Sequence, residues 1–299
     1  MQFFCISIDQ IGCFFYYIMR ARRCVVPGKM WRCKMKKSVA VLATVMVAGM
    51  MLSGCGKKTE AGEFTIEKGV LKVGMEIGYP PMEYYDVDGK TPIGFDVELG
   101  KAVAERLGLT AEFIDTAWDG IFAGLETNKY DVVMSAATVT PERLESMDFS
   151  VPYVGNGQAI VVRAAADFRP EGPLDLAGKV VAYQAETTSD LFMEKQAIAG
   201  LSFTPAEFDK VINAYDELKL GRCDAVVSDA LVYANYKDDP AFVSTWTGSA
   251  DEYFGVAIRK GNDALTERID AAIAEMFADG TMREIYLSVF GADLTSTVQ

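Results

Sequence analysis

Two segments built alike, Asp131-Val-Val-Met-Ser135 and Asp224-Ala-Val-Val-Ser228, lie 93 residues apart. Each follows a helical pattern, each reads as a buried strand, and each ends at a hydroxyl. Around them strand and helix patterns alternate. A strand at 70–75 precedes a turn at 86–89, where Asp86-Val-Asp-Gly89 carries turn chemistry. Asp96 is expected to cap a helix whose Val97, Val103 and Leu107 face inward and which stops at Gly108. Further segments follow at 111–114, 121–125, 132–135, 180–183, 189–198, 211–218 and 225–228, and late helices at 263–278 and 281–288. Alternation of this kind predicts an α/β protein of two similar lobes, each a mainly parallel sheet flanked by helices. Two extended stretches, 153–163 with Gly155-Asn156-Gly157 and 253–259, fit two hinge strands joining the lobes. Ligands of open α/β sheets bind beyond the carboxyl ends of the strands, so two such edges facing each other make a cleft.

The N-terminal region has a different character. Lys36-Lys37, an apolar run at 39–51 and Leu52-Ser53-Gly54-Cys55 follow the order of a bacterial secretion signal of the lipoprotein type. The fifteen residues at 38–52 fall short of the ~20 that a membrane-crossing helix needs. Residues 1–54 are therefore expected to be a signal peptide with a mis-called extension, since Met30 and Met35 offer starts nearer the signal. Cys55 becomes a lipidated terminus and 55–67 a tether. The lobes are expected at 68–154 plus 254–299 and at 155–253.

Without residues 1–54, which hold eight basic residues and one acid, 21 basic residues face 41 acidic ones, a formal net charge of −20. Such a chain repels nucleic acid and anionic lipid. The absence of histidine excludes Ser-His-Asp and Cys-His catalysis and any histidine-ligated zinc. Cys223 is the one cysteine after Cys55, and its place at the mouth of an apolar run fits a small buried hydrophobe.

Several residues could carry chemistry. In Thr138-Val-Thr-Pro-Glu-Arg143, Thr140 suits an N-cap and Pro141 the first helical position. Arg143 then lies in the first turn, able to grip a carboxylate with two parallel bonds; the plainer alternative is a solvated arginine. Thr187 and Thr188 follow the strand at 180–183 and open a helix, where hydroxyls and free N–H groups make an anion site, or where Thr188 is only a cap. Asp229 ends a strand and could pair with an ammonium group or cap the next helix. Tyr79 and Trp118 sit on loops after strands, placed for ligand contact or for packing.

Gly74-Met-Glu-Ile-Gly-Tyr-Pro-Pro81, Gly94-Phe95-Asp96, Trp118-Asp119-Gly120, residues 131–143, Phe149-Ser-Val-Pro-Tyr153 and residues 181–189 together resemble the polar amino-acid family of extracellular solute-binding proteins that serve bacterial ABC importers. The resemblance covers about 71–290. It implies a periplasmic-binding-protein fold closing over one free amino acid, a monomer working with a membrane permease, without cofactor or metal. By position, Arg143 would bind the α-carboxylate with Ser135, Thr138 and the backbone of Ala136 and Thr188. Asp229 would hold the α-ammonium, Tyr79 and Trp118 would flank the side chain, and Glu76 would approach its far end.

The chain departs from the family pattern at Glu186, where glycine is usual, and at Ala136 and Ala137, which replace hydroxyls. Glu76, with Glu186 nearby, favours arginine, lysine or ornithine through ion pairing and cation–π contact. A cystine binder also fits, as its ligand carries a second ammonium. Two rivals share the scaffold: a secreted dehydratase, and a sensor that presents its closed form to a signalling partner.

Overall fold

A computed structural model of the protein describes residues 64–298. The signal region, Cys55 and residues 56–63 lie outside the described residues. In chain order the elements are β1 Val70–Met75, β2 Tyr84–Tyr85, β3 Pro92–Ile93, α1 Phe95–Arg106, β4 Thr110–Asp115, α2 Ile121–Glu126, β5 Val132–Val133, α3 Pro141–Ser146, β6 Met147–Phe149, β7 Val154–Asn156 and β8 Gln158–Arg163. There follow β9 Val180–Gln184, α4 Thr188–Ile198, β10 Thr204–Phe208, α5 Val211–Leu220, β11 Ala225–Asp229, α6 Ala230–Tyr236, β12 Phe242–Thr247, β13 Glu252–Phe254, β14 Ala257–Arg259, α7 Asp263–Asp279 and α8 Thr281–Phe290.

Two five-stranded sheets share one topology. The first has the order β4-β1-β5-β14-β6 and the second β10-β9-β11-β8-β12. In each, three parallel strands adjoin one antiparallel strand, β14 or β8, followed by an edge strand that restores the original direction. The repeated motif explains part of this likeness. Asp131 Oδ2 accepts from Lys72 N at 2.8 Å and Asp224 Oδ2 accepts from Val180 N at 2.8 Å. In both sheets the aspartate before the third strand thus fastens the backbone of the first.

Each sheet is covered on both faces, as residue parity shows. On β9, β11 and β8, Ala182, Val226 and Val161 pack with Ala214 and Leu218 of α5, whereas Val181, Val227 and Ile160 pack with Met193 of α4. Successive strand side chains point to opposite faces, so apolar runs without alternation belong between two helical layers. In the first sheet Val132 and Met134 join the core that includes α1 and α7, while Val133 joins Ile121 and Leu125 of α2. Gly74 admits Tyr130 to that second face: a Cβ there would lie 2.7 Å from the Tyr130 ring. On the first face Phe95 packs its ring against Tyr153, Tyr286 and Phe290, with centroids 5.3–5.8 Å apart.

The two crossings pair with each other as β7 and β13, antiparallel, with Glu252 opposite Asn156 and Phe254 opposite Val154. Each then leads directly into an antiparallel strand of a sheet, β7 into β8 and β13 into β14.

Some expectations are corrected. Asp96 is not the cap of α1: Gly94 holds that position, and Asp96 is fully buried in the first turn. Residues 64–67 are not tether. Phe64 is buried beneath the Arg268 guanidinium, 4.5 Å from its ring, and Ile66 N donates to Asp131 Oδ1 at 2.6 Å. Strand β10 was not expected, because Pro205 and its mostly exposed side chains disguise an edge strand. Cys223 is buried, and burial pushes its thiol up to about 12, which makes it inert.

Candidate ligand-binding cleft

Glu76, Tyr79, Trp118, Ser135, Ala136, Thr138, Arg143, Thr187, Thr188 and Asp229 line one cavity between the two sheets, with Gln184 as a further lining residue. The cavity holds about 290 Å³ of empty space, part of it open to solvent.

Arg143 reaches the cavity because α3 starts as the sequence dictates. Thr140 is the N-cap, its hydroxyl accepting from Arg143 N at 3.2 Å, and Pro141 stands at the first position. The guanidinium turns back to donate to Thr138 O at 2.9 Å. It lies 5.3 Å from the Trp118 ring centroid and 4.8 Å from that of Phe122. Burial brings its pKa down to about 10, an effect opposed by the charges of Asp229 and Glu252. Among the described residues no carboxylate forms a salt bridge with it.

Asp229 occupies the capping position of α6 but makes no capping bond. Its carboxylate instead accepts from Asn156 Nδ2 at 2.8 Å, from Gln158 Nε2 at 3.1 Å and, across the cleft, from Tyr79 OH at 2.6 Å. Burial pushes its pKa up to about 7, with the charge of Glu252 acting the same way and the three donors acting against it. A second bond between the walls joins Gln184 Nε2 to Glu76 Oε2 at 2.7 Å. Among the described residues Glu76 Oε1 and Gln184 Oε1 have no hydrogen-bond partner, and both are buried. Burial raises Glu76 to about 7, eased by Gln184 and Lys210.

The remaining residues divide by task. Ser135 Oγ accepts from Glu76 N at 3.0 Å and donates to Glu83 Oε1 at 2.5 Å. Ala136 stands at φ +48°, and its N–H, expected to face a ligand carboxylate, donates to Asp96 Oδ2 at 2.6 Å. Thr187, not Thr188, caps α4, accepting from Asp190 N. Thr188 is left free of capping, and its hydroxyl donates to Glu252 Oε2 at 2.9 Å. Thr138 Oγ1 donates to the same oxygen at 3.3 Å and Gln158 Nε2 to Glu252 Oε1 at 2.8 Å. Trp118 Nε1 donates to Glu186 O at 3.0 Å. Glu186 takes the left-handed conformation at φ +59° that glycine favours, with its side chain exposed and outside the cavity lining. Its carboxylate therefore stands outside the cavity wall, contrary to expectation.

Sequence reasoning missed Glu252, the Gln184 and Gln158 amides, Asn156, Phe122 and Glu83. One signal was present: Asn156 and Gln158 stand two apart in an otherwise apolar stretch, which places both on one face. Glu252 carries no local motif; only the pairing of β13 with β7 brings it to the cleft.

A family profile described as bacterial extracellular solute-binding proteins, family 3, matches residues 71–292. The L-cystine-binding protein TcyJ of Escherichia coli (strain K12) is 33% identical over 259 residues, which cover 86% of this chain and 96% of that protein. A solved structure of an ancestral arginine-binding protein bound to arginine is 40% identical, with a TM-score of 0.70 over 75% of this chain and 99% of its own. The ancestral amino acid-binding protein AncCDT-1, described as a precursor of cyclohexadienyl dehydratase, is 37% identical, with a TM-score of 0.67 over 74% of this chain and 95% of its own.

Proposed function

The chain belongs to family 3 of the bacterial extracellular solute-binding proteins, and from that premise we propose that it captures one free amino acid in the cleft and hands it to an ABC permease. The observation that carries this reading is a pair of opposite, unmatched charges. Arg143 lies against the Trp118 and Phe122 rings and Asp229 is buried, and among the described residues neither forms a salt bridge. An α-carboxylate on Arg143 and an α-ammonium on Asp229 would satisfy both, and a ligand touching both walls favours the closed arrangement through differential affinity. Thr138 and Thr188 assist the carboxylate end, and Tyr79 and Trp118 flank the side chain. No chemical step is needed, so the chain acts as a binding protein and not an enzyme.

The ligand class follows from Glu76. Its unpartnered Oε1 and the carboxylate of Asp229 place two acids against one arginine in the lining. This favours a cationic side chain, arginine, lysine or ornithine. Cystine, which the relative TcyJ binds by name, is the second reading, because its far ammonium could meet the same carboxylate. Lipidation at Cys55 would hold this monomer beside its permease while leaving recognition to the cleft; its support is the order of charges, apolar run and Leu52-Ser53-Gly54 before the cysteine.

A thermal-shift screen of residues 56–299 against the amino acids tests the reading. A ligand at a hundred times its Kd stabilises by ~2.7 kcal/mol when it binds only the folded state. Basic amino acids or cystine should raise Tm, and the ligand should be recovered unchanged. No response to any amino acid contradicts the proposal.

A further inference from the structure

Behind the cleft wall, Glu83 and Asp96 are both 0% exposed and face each other. Glu83 lies on the loop after Tyr79, whose backbone is tied to the start of α1 by Phe95 N to Pro81 O at 3.0 Å and Asp96 N to Met82 O at 2.9 Å. One oxygen of each carboxyl is spoken for. Glu83 Oε1 accepts from Ser135 Oγ, and Asp96 Oδ2 from Ala136 N. Among the described residues the other two, Glu83 Oε2 and Asp96 Oδ1, have no hydrogen-bond partner of regular geometry; the one donor beside them is the Tyr153 hydroxyl, itself otherwise unpartnered and near enough to Asp96 to favour its charged form. The titratable neighbours are Glu76 at the end of β1, Tyr79 on the same loop, and Tyr153 before β7, beside Asp96; no lysine or arginine is among them.

Two ionised carboxylates in this place would repel each other without a counter-charge and have a single neutral donor, the Tyr153 hydroxyl, to serve their two free oxygens, an arrangement too costly to persist. We propose that Glu83 and Asp96 hold one proton between them and that this proton-bearing pair is the positioning element for Ser135 and Ala136, the wall of the cleft. The proton is taken from solvent as the chain folds. It turns the two unsatisfied oxygens into one O–H···O bond and leaves a single negative charge. The two outer oxygens then stay aimed at Ser135 and at the strained Ala136, whose left-handed backbone needs an anchor. Burial raises both groups, Asp96 to about 7 and Glu83 well above the usual carboxylate range. Although the ligand-binding role of this wall rests on the function proposed above, the shared proton does not.

The test has two arms. In the wild-type protein, a 13C NMR titration of side-chain carboxyls should show a carboxyl of this pair still protonated at pH 8, its signal assigned by comparing wild type with Glu83→Gln. Complete ionisation of every carboxyl by that pH overturns the shared proton. In the second arm, Glu83→Gln supplies a fixed N–H toward Asp96 and should retain wild-type affinity for whichever of L-arginine and L-cystine binds. Glu83→Leu, which cannot donate or accept, should weaken it on the order of tenfold. Equal loss in the two variants, both folded by circular dichroism, overturns the positioning role. If wild type binds neither probe, the proposed function fails while the titration still decides the proton.

Discussion

Tyr79 donates its hydroxyl proton to Asp229 Oδ2 across the cleft at 2.6 Å, and so joins the loop after β1 to the end of β11. The bond can exist only when the two walls have come together. Tyr79→Phe keeps the aromatic face and removes the donor. Bonds to charged groups contribute ~1.5–3 kcal/mol, so every amino acid should bind roughly tenfold or more weakly by calorimetry, with no change in ligand ranking. A changed ranking would mean that Tyr79 reads the side chain instead.

Glu76 is expected to read the side chain. Its buried, unpartnered Oε1 leaves room for a donor from the ligand's far end. Glu76→Gln should weaken arginine, lysine or cystine by ~1.5–3 kcal/mol and leave neutral amino acids nearly unaffected. Equal losses in both classes would refute the assignment.

Affinity and stability should respond to pH in opposite directions. Glu76 and Asp229, raised to about 7 in the folded protein, carry protons that an incoming ammonium group must displace. Binding of a cationic amino acid should therefore release protons at pH 6 and tighten between pH 5.5 and 8. The release is measurable by calorimetry in buffers of different ionisation heat. For stability without ligand the sign reverses. A carboxyl whose pKa is raised on folding contributes stability that is fully present below its ordinary value and lost as pH rises through the folded one. These two groups should make Tm fall from pH 4 to beyond 7. Proton uptake on binding at pH 6 would contradict the account.

Gly94 controls how Asp96 enters the core. Its backbone lies at φ 125°, ψ −178°, and a Cβ there would stand 2.4 Å from Met82 O. Gly94→Ala should cost at least the ~1–3 kcal/mol of a glycine-only conformation, seen as a fall in Tm of several degrees. An unchanged Tm would show that the loop of Glu83 yields freely.

Motifs whose meaning is local were legible from the chain. Thr140-Pro141 placed Arg143 because a cap and a proline fix the first turn by themselves, and the echo of Asp131 in Asp224 marked two matching sheets. Residues whose role depends on distant partners were not. Asp96 looks like a cap, yet its carboxylate turns inward because Ala136 N, forty residues away, lies within reach. Thr187 and Thr188 are equivalent as text, and only the geometry of α4 separates the cap from the residue facing the cleft. Glu186 suggested added charge in the cleft, but its left-handed backbone directs a carbonyl toward Trp118 and leaves its side chain exposed.

The central claim is that Arg143 and Asp229 grip the two ends common to all amino acids. The most direct measurement is calorimetric titration of Arg143→Ala with the amino acid that most raises the wild-type Tm, repeated with its α-amide, in which the carboxylate charge is gone. The account predicts that the variant loses measurable binding of the amino acid, and that wild type loses binding of the amide. Near-wild-type affinity of Arg143→Ala for the amino acid would contradict it.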